Sequence, residues 1–110
     1  MYLPKADIYN LLKTLGYGVS QTQPTVFNEL PYLTFRVIGN DSSLFLDNSI
    51  AFQNVEVQID IWADTSVEAS EILSKVEEKM RSDFYNMTYS ADVPNIDNIF
   101  HVVSRFSKKI

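Results

Sequence analysis

Between Val55 and Glu68 the apolar residues change period, and this change constrains the fold more than any other stretch. Val55, Val57, Ile59 and Ile61 alternate with Glu56, Gln58, Asp60 and Trp62. A period of two puts an aliphatic ladder on one face of a β-strand and polar groups on the other. The β-branched side chains suit such a pleated, half-buried surface. Downstream, Thr65 with Glu68 three residues later has the form of a helix capping box, with Asp64 an alternative cap. Ala69, Ile72, Leu73, Val76 and Met80 then recur at helical spacing. Strand and helix can bury their apolar faces against each other, which places Ile59 and Ile61 against Leu73 and Val76.

The other segments can be read around that pair. Lys5 to Leu15 reads as a helix with Ile8, Leu11, Leu12 and Leu15 on one stripe, Pro4 at its start and Gly16 as its stop. Tyr17 to Ser20 has the form of a short edge strand, and Gln21 to Pro31, with two prolines, reads as loop. Tyr32 to Ile38 is a strand in which Leu33, Phe35 and Val37 oppose Tyr32, Thr34, Arg36 and Ile38. Residues 39–49 read as a long loop rich in Gly, Asn, Asp and Ser, interrupted by Leu44-Phe45-Leu46, before strand resumes from Ile50 to Trp62. A helix over Ser66 to Ser82 carries the i,i+4 pairs Glu71–Lys75 and Glu77–Arg81. Phe84 to Ser90 gives a third strand, Ala91 to Asn98 a turn, Ile99 to Phe106 a last strand, and Ser107 to Ile110 a short basic end. The expected fold is α+β: one domain over residues 1–110, a mainly antiparallel sheet of about four strands, and two helices packed on one face.

The chain shows little sign of chemistry. It has no cysteine, which removes disulfides, thiolate metal sites and Cys nucleophiles. The single histidine, His101, lies in the last strand without a nucleophile motif beside it, so it reads as a structural or surface residue. Glu56 and Asp60 are about 13 Å apart along one strand face, too far to share a small cation unaided. Gly16-Tyr17-Gly18 is not followed by a helix start, so no nucleotide fingerprint is present. No enzyme activity, metal or cofactor is expected. A net charge of −5, with ten of the fourteen acidic residues in 56–110, argues against specific nucleic-acid binding. The first residues lack the apolar core of a signal peptide, and no run of about 18 apolar residues suggests a membrane span.

Several residues suit contacts between molecules better than the surface of a lone subunit. Trp62 shares its face with Glu56, Gln58 and Asp60, and Leu44, Phe45 and Leu46 interrupt a polar loop. A covering segment accounts for such residues, and so does an interface. Lys108 and Lys109 read either as a solvated tail or as a basic end free to meet an acidic partner. Thr34, Arg36, Glu56, Gln58 and Asp60 share one parity on neighbouring strands, which predicts a common polar face with Arg36 near one of the acids.

Pro31-Tyr32-Leu33-Thr34-Phe35, a polar loop, Val57-Gln58-Ile59-Asp60-Ile61-Trp62-Ala63 and then a helix with Ala69 and Leu73 together resemble the tail-completion proteins of long-tailed bacteriophages. These proteins are also called tail terminators or head-to-tail joining proteins. The resemblance covers about Pro31 to Phe84. It implies a small α+β subunit that forms a ring with copies of itself, usually a hexamer. The ring caps the tail tube protein and docks it to the head connector, or stopper, protein. The implied location is the head–tail junction of the virion, after synthesis in the host cytoplasm. The family has no catalytic residues to carry over. On this reading Leu44, Phe45, Leu46, Trp62, Lys108 and Lys109 are interface candidates. Arg36, Glu56, Gln58 and Asp60 would line the channel through which DNA passes, the acids repelling it. The rival reading is a monomeric or dimeric ligand-binding or regulatory module of similar build, which a pocket with converging polar groups would favour.

Overall fold

The computed structural model describes residues 4–21, 30–44, 50–96 and 98–109, with the backbone alone for 41–44, 50–52 and 95–96. The elements run α1 (Pro4–Lys13), β1 (Gly18–Ser20), β2 (Tyr32–Leu44), β3 (Ile50–Ala63), α2 (Ser66–Ser82), β4 (Asn86–Ile96) and β5 (Ile99–Lys109). They form a five-stranded sheet in the order β1-β2-β3-β5-β4. The β2–β3, β3–β5 and β4–β5 pairs are antiparallel, whereas β1 runs parallel to β2. The sheet is therefore mixed, with one strand more than expected. Residues 21–31 separate β1 from β2, a longer connection than a hairpin turn, and parallel neighbours need such a crossover.

The alternation in β3 is the centre of the core. Val55, Val57, Ile59, Ile61 and Ala63 are fully buried, and they join Leu33 and Phe35 of β2 and Val102 and Phe106 of β5 in one cluster. Ile8 and Leu12 of α1 and Ala69, Ile72, Val76 and Met80 of α2 close that cluster from the same side, with Leu73 packed at its edge. Both helices lie on one face, as the periodicities predict. Ser104 is a polar member of this layer. It is fully buried, and its hydroxyl donates to the Ile59 carbonyl at 2.9 Å, so it carries no unmet hydrogen bond.

Local signals account for the helix ends. Thr65 is the N-cap of α2: its side-chain oxygen accepts from the Glu68 amide at 3.1 Å, and Glu68 Oε1 in turn accepts from the Asp64 amide at 3.3 Å. Gly16, at φ 88°, follows α1, which ends two residues earlier than Leu15. The C-terminus of α2 closes as a Schellman motif, with Tyr85 N–H donating to the Met80 carbonyl and Phe84 N–H to the Arg81 carbonyl, both at 3.0 Å. The residue at the left-handed position is Phe84, at φ 68°. Of the two helix-surface pairs, Glu77–Arg81 forms. Lys75 reaches instead to the Tyr17 hydroxyl at 3.2 Å and lies over that ring, tying α2 to the segment before β1.

Three boundaries differ from the sequence reading. Residues 39–44, expected as loop, continue β2 against β3 after a register shift between Val37 and Gly39. Residue types with weak strand preference take strand backbone there because β3 supplies the backbone hydrogen bonds; Gln53 Nε2 also donates to Asn40 Oδ1. Residues 45–49, with Phe45 and Leu46, lie outside the described residues. Residues 91–96, expected as turn, extend β4, whose pairing with β5 shifts register around Pro94. A proline is tolerated there because β4 is an edge strand. The basic end is not a free tail, because β5 runs on to Lys109.

Candidate functional site

With both helices on one side, the other face of β2, β3 and β5 carries the residues set aside by the alternation. Antiparallel registry puts Thr34 opposite Asp60 and Arg36 opposite Gln58 on one flank of β3. On the other flank it puts Trp62 opposite His101, Asp60 opposite Val103 and Gln58 opposite Arg105. The residues expected to share a polar face do share one, and no described helix packs over it.

A hydrogen-bonded chain crosses this face. Trp62 Nε1 donates to Thr34 Oγ1 at 3.2 Å, and the indole stacks on the His101 ring with centroids 3.7 Å apart and planes 14° from parallel. His101 Nε2 lies 3.0 Å from Asp60 Oδ2, and Gln58 Nε2 donates to Asp60 Oδ1 at 2.9 Å. Arg105 Nε donates to Gln58 Oε1 at 3.3 Å, and the guanidinium sits over the Tyr89 ring at 5.4 Å. Six of these side chains, on three strands, are thus held in one row. Asp60 and His101 keep only 19% and 15% of their side-chain surface, so their contact is partly shielded from solvent. The row contains a His–Asp contact but no hydroxyl poised as a nucleophile: Thr34 is engaged with Trp62. Among the described residues no group of three or more His, Cys, Asp or Glu side chains could hold a metal.

Several expectations change. Trp62 is only 8% exposed and stacked on His101, so it is not an exposed anchor. Arg36 is exposed and opposite Gln58; among the described residues no ion pair joins it to Glu56 or Asp60, and the Asp60 carboxylate meets His101. The face is not an acidic surface either, since Arg36 and Arg105 balance Glu56 and Asp60 on it. Lys108 pairs with Asp83 at 3.3 Å and lies over the Tyr85 ring at 5.0 Å, which fastens the last strand to the end of α2. Lys109 ends β5 opposite Asn54 and is exposed. Leu44 is the last residue of β2.

Sequence reasoning missed His101, Arg105 and Tyr89 as members of the row. The parity of β5 contained the signal: His101, Val103 and Arg105 alternate with buried Val102, Ser104 and Phe106. What parity lacks is the register that brings His101 opposite Trp62.

On the helix-bearing side, a cleft of about 350 Å³ opens beside the first turn of α2, floored by β4 and β5. Ala69, Pro94, Phe100 and Val102 give it apolar walls, with Ser66 and Asp92 at its polar edge.

No match accompanies the chain among curated proteins. A family model does match: that of the tail completion protein gp17, over residues 5–108. The matched span runs from the second residue of α1 to the next-to-last residue of β5, and so takes in nearly all of both helices and the five strands. This cysteine-free α+β chain with its polar sheet face is therefore a member of the tail completion protein gp17 family, a structural protein of the bacteriophage tail.

Proposed function

We propose that this protein closes the tail tube and joins it to the head connector as a ring of identical subunits, six by the resemblance, at the head–tail junction. The observation that carries this reading is the family match over residues 5–108. Its support in the subunit is the polar sheet face of β2, β3 and β5, over which no described helix packs and which in a ring can turn toward the channel. Arg36, Glu56, Gln58 and Asp60 lie on that face, together with His101 and Arg105. Because charges of both signs alternate there, the lining presents little net field to passing DNA. It would neither hold nor strongly repel the phosphate backbone, which suits a conduit.

Leu44, Phe45 and Leu46 remain candidate contacts between subunits. Replacing all three by Ser should leave the subunit folded and stop ring formation. Loss of subunit stability would show that they belong to its core instead.

The decisive experiment is deletion of the gene. It should yield DNA-filled heads and separate, unjoined tails in electron micrographs, with infectivity lost and restored by adding the protein. Normal infectious particles would overturn the proposal, and the cleft beside α2 would then be the place to seek a small ligand.

A further inference from the structure

Phe84 is held in the left-handed region at φ 68°, with 78% of its surface in solvent. The position after a helix that closes this way ordinarily belongs to glycine, because a Cβ crowds the backbone there. Asn98, also at positive φ, is of a type that tolerates the conformation; a bulky aromatic is not. The subunit therefore bears a strained backbone and a phenyl ring in water at one point.

We propose that assembly offsets both costs: Phe84 of one subunit enters the cleft beside the first turn of α2 in the next copy. The inference rests on the ring reading above. The occupant is a second copy because the chain itself bears both complementary parts. The cleft, about 350 Å³ with Ala69, Pro94 and Phe100 in its walls, has the size and chemistry to take a phenyl ring. Lys79 brings a cation to the last turn of α2, beside Phe84, where Arg81 is already paired with Glu77 and Asp83 with Lys108. The cleft end has Asp92 in its lining, Glu68 in the first turn of α2 and exposed Asp64 before it. Ring and cleft lie at opposite ends of α2, about 25 Å apart for a helix of 17 residues. Such a contact can be made twice over within a two-fold pair or head to tail around a ring; on the ring reading it runs head to tail, so that each copy is linked to two neighbours.

The chain has no cysteine, so engineered ones report cleanly. Tails would be assembled with a Phe84→Cys, Pro94→Cys double variant and oxidised. A ladder of covalent multimers is expected, with each single variant remaining monomeric on denaturing gels. Phe84→Gly provides the second arm. It should raise the melting temperature by relieving the strained position, yet weaken self-association by about 30-fold or more, as loss of an interface anchor does. Several copies per tail without the ladder, or Phe84→Gly subunits that assemble like the native ones, would overturn the contact and leave the ring standing. A melting temperature lowered by Phe84→Gly would overturn the strain argument. One copy per tail would overturn the ring itself.

Discussion

Truncating Ile59 to Ala tests the core and its register together. Ile59 is fully buried in β3, opposite Phe35 of β2 and Ser104 of β5, in the cluster that α1 and α2 close. Removing three carbons forfeits about 2.4 kcal/mol of transfer free energy at about 0.8 kcal/mol per methylene. Strands on both sides and a helix layer above keep the site from collapsing, so a cavity cost adds to this. The expected total is about 3–5 kcal/mol, the upper part of the range for such truncations. Against a stability of about 5–15 kcal/mol for a natural domain, that is a large fraction. The melting temperature should fall by roughly 10 °C or more. Urea unfolding followed by far-UV circular dichroism, with the emission of the single tryptophan as a second probe, gives the difference at unchanged m. Glu56→Ala is the control: it is an exposed position on the opposite face of the same strand, and should change stability by no more than about 0.5 kcal/mol. An Ile59→Ala cost below about 1 kcal/mol, or an equal cost for Glu56→Ala, would refute the assignment of the two faces.

Two further predictions address local devices. Thr65→Ala removes the acceptor of the Glu68 amide at the start of α2 and should cost about 1 kcal/mol in the same unfolding assay; no change would mean that Asp64 caps the helix equally well. His101→Ala strips the stacked ring from Trp62 and should shift its emission to longer wavelength in the folded protein, whereas an unchanged spectrum would show that the stack does not shield the indole.

The two periodicities of the sequence, two residues from Val55 to Ile61 and the helical spacing from Ala69 to Met80, correspond to the buried faces of β3 and α2. They were legible because burial selects side chains one position at a time. The capping residues were legible for a similar reason: Thr65 and Glu68 act within one turn of chain. Where the outcome depended on what lay across the sheet, local pattern failed. Residues 39–44 have loop-like composition and are strand because β3 pairs with them; residues 91–96 are strand because an edge position accepts Pro94.

Sequence by itself therefore determined the elements, the apolar layer and the polar parity of residues 34, 36, 56, 58 and 60. Tertiary structure alone decided which polar groups meet. The antiparallel registry of β3 with β5 carries His101 to Trp62 and Asp60, 41 positions from its carboxylate partner. It also decided that Lys108 fastens a strand to Asp83, and that an aromatic residue sits strained and exposed after α2. Composition marks which side chains avoid water, but polar partners are assigned by register, a property of strands far apart in the chain.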